Sequence, residues 1–357
     1  MTLTVHPFRA EYGPQYDALI GRSPMAMFTH SLRFRRFLIE MLEEADDQYL
    51  CAFDGSELVG VLPAFSRQGP AGAVLNSLPF FGSHGGVVCA PQRLPEVSRV
   101  LLTALSALSQ RLGAFSCTVI ESPFGRSGDV WANGGFTLQD SRIGQVTPLP
   151  TASTNDEAAS LLLAQCHGKT RNMIRKFLRS PFGIAHRDDW AALQALHSLH
   201  EEGMRRIGGT PKPLRVFETI RRCFTYDADY RVYTATRGRE IVAALLLFFH
   251  GDTVEYFTPA TQEAARQDQP MTGLIFRAMQ EAIVERGAKH WNWGGTWPTQ
   301  EGVYRFKSRW AAVDHPYRYH IRLASDFQRH DWTRTQLLYA YPYFYCFPFS
   351  PASLDAS

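Results

Sequence analysis

The 357-residue chain contains only six cysteines, at positions 51, 89, 117, 166, 223 and 346. None forms a CxxC pair or joins histidine at zinc-ligand spacing, which points to reduced thiols in a cytoplasmic protein and offers no metal site. Long apolar runs are also missing. The longest, Ile241 to Phe249, is nine residues and too short to cross a bilayer. The opening MTLTVHPFRAEYG lacks the basic-then-apolar form of a signal peptide. Charge is nearly balanced at +3, which permits an anionic partner without demanding one. No carboxylate pair, Ser/His/Asp arrangement or cysteine nucleophile stands out by spacing. Gly168-Lys169-Thr170 resembles the end of a phosphate loop, but the Walker pattern needs glycine at 163, where Leu163 stands.

The rest of the composition is that of a soluble globular protein, with 45% hydrophobic and 20% charged residues. Its length suits two ordinary domains or one large one. The aromatic share of 13% implies substantial cores or grooves.

Taken in order, the pattern predicts an α/β chain with mixed sheets. A first strand at Thr2 to Phe8 precedes helices over Gly13 to Ile20 and Ser31 to Glu44. Tyr49 to Asp54 and Leu58 to Phe65 form a hairpin across Asp54-Gly55. A strand at Val74 to Phe81 leads into Gly82-Ser83-His84-Gly85-Gly86, where His84 is a candidate base, though an ordinary loop histidine is the stronger reading. A helix over Leu94 to Leu112 and a strand over Phe115 to Glu121 follow, then a closing strand near Gly135 to Val146. The second half repeats this grammar. Gly55-Ser56-Glu57-Leu58-Val59 matches Gly238-Arg239-Glu240-Ile241-Val242, and Arg111-Leu112-Gly113-Ala114-Phe115 matches Glu285-Arg286-Gly287-Ala288-Lys289. Two matches in one order suggest two copies of one module. The expected division is 1–148, then 149–323 with an inserted helical segment at 155–224, then an aromatic tail at 324–357. That tail contains YAYPYFYCFPFSP and is expected to pack back on the body, with a membrane or partner surface as the alternative.

In the inserted segment, Arg171, Asn172, Arg175, Lys176 and Arg179 fall on one helical flank, while Met173, Ile174, Phe177 and Leu178 fall on the other. A basic amphipathic helix is usually a solvated face; its functional reading is a surface for phosphates. The arginines of Arg205-Arg206-Ile207-Gly208-Gly209 suit a helix C-terminus.

The stretch that organises the chain is AKHWNWGGTWPTQEGVYRFKSRW, from Ala288 to Trp310. It predicts a buried strand, a turn at Gly294-Gly295, and a short helix opening near Pro298. Val303, Phe306 and Trp310 share one face, with Lys307 about 40° from Val303 at its edge. Lys307 is either a site lysine held against aromatics or one that lays its stem on the core and sends its ammonium to water.

These residues carry a family resemblance. KTRNMIRKF, EEGMRRIGGTPKP, NSLPFFGSHGGV and YRFKSRW after WNWGG together resemble FemABX-like proteins, a branch of the GNAT acyltransferase superfamily related to FemAB and BioF2-like acetyltransferase domains. The resemblance spans most of residues 3 to 323. It implies two tandem GNAT-like modules and transfer of an activated acyl or aminoacyl group to an amine. It also implies Lys307 as the cation that stabilises the tetrahedral oxyanion. On this reading Arg171, Asn172, Arg175 and Arg205 contact an anionic substrate. Tyr256, Trp293, Gly294, Gly295 and Tyr304 form the groove. Two superfamily features are missing: the Gly-rich coenzyme A loop, replaced by ARQDQPMTG at Ala265 to Gly273, and the charged coiled-coil arm that engages tRNA. No bound cofactor is expected. The donor stays open between aminoacyl-tRNA and acyl-CoA as co-substrate. The expected partner is an anionic envelope or polysaccharide precursor or a nucleotide-sugar; tRNA and a peripheral membrane contact are further candidates, and DNA is not. The expected location is the cytoplasm, with the inner membrane face as an alternative place of work. The competing functions are a CoA-dependent N-acyltransferase and a non-catalytic binding module.

Overall fold

The computed structural model describes residues 3–81, 83–125, 131 and 134–349. It divides into two compact units, 1–142 with 316–357, and 143–315.

The first unit contains β1 (Thr4–Pro7), α1 (Gly13–Arg22), α2 (Leu32–Met41), β2 (Ala45–Asp47), β3 (Leu50–Asp54) and β4 (Glu57–Leu62). It continues with β5 (Phe65–Arg67), β6 (Ala73–Ser77), β7 (Val88–Cys89), α3 (Leu94–Arg111) and β8 (Ala114–Ile120). The chain passes to the second unit within β9 (Leu138–Pro148). There it forms α4 (Asn155–Gln165), α5 (Gly168–Leu178), β10 (Gly183–His186), α6 (Trp190–Arg206), α7 (Leu214–Cys223), β11 (Tyr230–Arg237) and β12 (Glu240–His250). β13 (Thr253–Thr261), α8 (Pro270–Arg286), β14 (His290–Thr296) and α9 (Glu301–Ser308) complete it. The chain returns within β15 (Val313–Leu323) and ends its regular structure in α10 (Arg334–Ala340).

Strands of the first unit are ordered β1-β3-β4-β7 and β15-β8-β6-β5-β2; those of the second run β10-β11-β12-β13-β14-β9. The mixed α/β class and the internal duplication expected from the sequence are both present. Each unit has a hairpin (β3–β4, β11–β12) and then a strand, a helix and a parallel strand (β6–α3–β8, β13–α8–β14). The repeated glycines have one cause in both copies. Gly55 and Gly238 turn the hairpins at φ of +60° and +61°, and Gly113 and Gly287 end the helices at +61° and +60°. Side chains with a Cβ rarely adopt that backbone.

The units differ from the expected boundaries. The tail belongs to the first unit because it completes that unit's hydrogen bonding. Tyr341 donates to the Gly72 carbonyl at 2.8 Å, and Tyr345 exchanges two backbone bonds with the Asn76 amide at 2.6 and 2.9 Å. Tyr341, Phe344 and Phe347 are buried there. Residues 350–357 of the tail and Gly82 of the loop expected at 82–86 lie outside the described residues. The inserted segment is not wholly helical either: β10 interrupts it, pairing antiparallel to β11. No helix among the described residues is long and apolar enough to cross a membrane.

Candidate functional site

The second unit's two central parallel strands pair over only three residues, Thr253 to Glu255 against His290 to Asn292. Both then continue, β13 to Thr261 and β14 to Thr296, without pairing to each other. Two β-bulges coincide with this fork. β13 carries an extra residue against β12 opposite Leu246/Leu247, and β14 carries one against β9 between Asn292 and Gly295. A bulge bends its strand and sharpens the local twist, so a bulge on each neighbour opens the wedge. Gly294, at φ +72°, supplies the left-handed residue that the β14 bulge uses. The expected glycine turn is therefore a bulged strand.

Polar groups converge at the fork. Asn292 donates from Nδ2 to Glu255 Oε2 at 2.8 Å and accepts the Gly294 N–H at 3.0 Å, tying carboxylate to bulge. Lys307 Nζ reaches the Gly294 carbonyl at 3.1 Å, the Gly295 carbonyl at 3.3 Å and Thr296 Oγ1 at 2.7 Å. Three oxygens match an ammonium's three protons. The chain of bonds continues from Thr296 to Gln145 Oε1 at 3.1 Å, and from Gln145 Nε2 to Ser308 Oγ at 3.2 Å. Gln145, Asn292 and Thr296 are fully buried. Burial pushes the half-buried Glu255 carboxyl up to about 8, against the Asn292 hydrogen bond and the Lys307 charge, which both pull it down. Burial likewise brings the Lys307 ammonium down to about 8, opposed by the Glu255 charge.

A cleft of about 650 Å³ opens between the end of β13, the first turn of α8, the end of α6 and α9, with Val303 and Phe306 in its wall. Gly273 of α8 serves packing: a Cβ there would lie 2.3 Å from the Phe177 ring of α5.

The structure redistributes the residues singled out in the sequence. Lys307, 5% exposed, is the buried residue of α9, whereas Val303 is 44% exposed. Of the face expected to be apolar, Val303 and Phe306 line the cleft while Trp310 is buried in the core, and the lysine points inward to the bulge carbonyls. Gly294 and Gly295 join Lys307 as its acceptors. Trp293 is buried in the core and donates to Thr147 Oγ1 at 2.8 Å, so it supports the fork from behind rather than walling a groove. Half-buried Tyr256 packs on it at 5.0 Å between ring centroids. Tyr304 donates to Asp314 at 2.9 Å, away from the cleft lining. Arg171 directs its guanidinium at the Leu163 and Ala164 carbonyls of α4, both at 3.5 Å. Those last-turn carbonyls have no helical partner, so the arginine closes α4 instead of facing solvent. Asn172 and Arg175 are exposed on α5, with Lys176 anchored to the Gln267 carbonyl at 2.6 Å. The apolar flank is interrupted at Leu178, which is exposed. Arg205 is exposed and paired with Glu201 at 2.9 Å, outside the cleft. In the first unit, His84 is buried and donates from Nδ1 to the Glu121 carbonyl at 2.7 Å; burial lowers it to about 4, unsuited to a base near neutral pH.

Glu255 was missed. Its signal was present: one carboxylate in the otherwise apolar and aromatic strand Thr253-Val254-Glu255-Tyr256-Phe257.

Comparison with known proteins agrees with this architecture. Residues 164–308 match the family described as acetyltransferase (GNAT) domain. A search of the curated proteins finds no match. Among solved structures, FemX superposes with a TM-score of 0.69 at 14% identity, covering 89% of this chain and 97% of that one. The C-terminal domain of a putative lysylphosphatidylglycerol synthetase from Agrobacterium fabrum gives 0.56 at 13% identity, covering 89% and 93%. A tandem GNAT protein from the clavulanic acid biosynthesis pathway gives 0.53 at 12% identity, covering 91% and 100%. Residues 164–308 thus match the GNAT acetyltransferase domain, and the chain as a whole shares its fold with FemX and with a tandem GNAT protein.

Proposed function

We propose that the protein transfers an activated acyl or aminoacyl group onto an amine of an anionic cell-envelope or polysaccharide precursor, and that the reaction takes place at the β13–β14 fork. The observation that carries this reading is Glu255, a carboxylate raised to about 8 beside the buried Lys307 ammonium, where the two parallel strands part. Such a group is poised to take a proton near neutral pH. The acceptor ammonium gives its proton to Glu255, and the freed nitrogen attacks the donor carbonyl carbon. The oxyanion collapses, the bond to the leaving oxygen or sulfur breaks, and the leaving group takes up the surplus proton of the attacking nitrogen, leaving the neutral amide.

Lys307 acts here through its charge and through the shape of the bulge, because its three protons are already engaged. Arg175 and Asn172 on the exposed face of α5 are the substrate-contacting groups this reading retains. One observation favours coenzyme A thioesters as the donor: Arg266 and the first turn of α8, a 17-residue helix, line the cleft and suit an anion.

The test is a mass-resolved transfer assay. Acyl-CoA thioesters or charged tRNA serve as donors, and amine-bearing nucleotide-sugars or lipid pyrophosphates as acceptors. Acyl gain by an acceptor, lost in Glu255→Gln, supports the reading. Transfer that survives Glu255→Gln unchanged refutes the assignment of the fork.

A further inference from the structure

The α6 side of the cleft is built from apolar groups, Leu199, Met204 and Ile207 among them, with one polar side chain set between them, His200. The local sequence explains why it is held there. Gly208, at φ +69°, and Gly209 end α6, with the Gly209 N–H returning to the Met204 carbonyl at 2.9 Å. The chain then doubles back, and the backbone N–H of Lys212 meets His200 Nε2 at 3.1 Å. The Lys212 ammonium itself lies over the Phe257 ring, 5.1 Å from its centroid. His200 is 8% exposed and packs against Phe217 at 6.5 Å.

Accepting a hydrogen bond at Nε2 requires the neutral imidazole with its proton on Nδ1. Burial, reinforced by Lys212 and His197, lowers the group to about 4, so this tautomer persists across the physiological range. Among the described residues, no hydrogen-bond partner takes the Nδ1 proton. The cleft thus holds a nearly buried, fixed N–H donor in an apolar wall. The neutral ring brings no charge of its own to a ligand oxygen, and Leu199 and Met204 flank it, a setting that suits a neutral carbonyl.

We propose that His200 is a specificity-determining residue of the cleft, donating from Nδ1 to a neutral amide carbonyl set between methylene groups in the acyl-donor arm. This rests on the reading of the cleft as the donor site. Two near-isosteric probes separate the claims: the hexanoyl thioester of N-acetylcysteamine, which has the amide, and the hexanoyl thioester of 1-pentanethiol, which does not. Calorimetry on the wild-type protein should show the amide probe binding about 10-fold more tightly, and His200→Phe should erase that preference while still binding both. Equal wild-type affinities, or a preference that survives His200→Phe, would overturn the role of His200 while leaving the donor site in place. Binding of neither thioester would overturn the donor site and the proposal with it. Should His200→Phe fail to fold, nitrogen-15 NMR of the wild-type imidazole decides. The Nδ1 resonance should move with the amide probe alone, and movement with both or neither contradicts the proposal.

Discussion

The two units carry the same supersecondary elements and put them to different uses. In the first, the parallel pair β6–β8 stays paired from Ala73 to Ser77, with one register shift after Ala73, and its third rung is Leu75 opposite Cys117. In the second, the third rung is Glu255 opposite Asn292, and pairing stops there. Leu75 and Cys117 are fully buried, in the core that α3 covers. Glu255 instead is only partly covered where the strands part. One copy has closed its strand pair into a core, and the other has kept it open with two bulges. A polar pair at one rung, and a glycine-bearing bulge beside it, separate a closed core from an open fork.

Substitutions can break this contrast. The largest effect is expected from Glu255→Gln, which removes the proposed base and should lower the transfer rate by about 10²- to 10⁴-fold with the fold retained. It should also change how stability depends on pH. The folded carboxyl sits near 8 against 4.5 unfolded, so the folded state holds more protons between those values. The wild type therefore loses stability as pH rises from 4.5 to 8, and the glutamine variant should show a flatter melting temperature across that window. Lys307 has the opposite slope: its ammonium is lowered from 10.5 to about 8, so its contribution improves as pH rises from 8 to 10.5.

Leu75→Ala, at the matching rung of the first unit, should cost about 2–5 kcal/mol in denaturant titrations and leave the pH dependence of transfer unaltered. Lys307→Met strips three oxygens of their donor and should cost about 1–3 kcal/mol along with most of the activity. Gly273→Ala forces a methyl into the Phe177 ring and should cost a similar about 1–3 kcal/mol, because the ring is pinned between α5 and α8. Arg175→Ala, on an exposed face, should change stability by less than about 0.5 kcal/mol. Its effect, if α5 meets the substrate, should be a raised KM with little change in kcat.

Much of this was legible in the sequence. The duplicated turn and helix-end glycines marked the repeat because positive φ leaves few other choices. The stretch from Ala288 to Trp310 holds the bulge of the fork, and Lys307 lies buried against it. What could not be read was direction. Helical periodicity puts Val303 on the core face and Lys307 at its edge, but periodicity does not register three acceptor oxygens at a bulge. Those oxygens draw the ammonium inward and turn Val303 out. Arg171 likewise falls on the basic flank by periodicity, but the open carbonyls of α4 hold its guanidinium. Glu255 was passed over because a single strand carboxylate acquires meaning only once Asn292, distant in sequence, stands across from it.

The most direct test is to titrate Glu255 by carbon-13 NMR of its carboxyl in the wild type and in Lys307→Met. An inflection near 8 in the wild type, moving upward when the Lys307 charge is removed, is the predicted result. An inflection near 4.5 that ignores Lys307 would contradict the fork as a proton-transfer site.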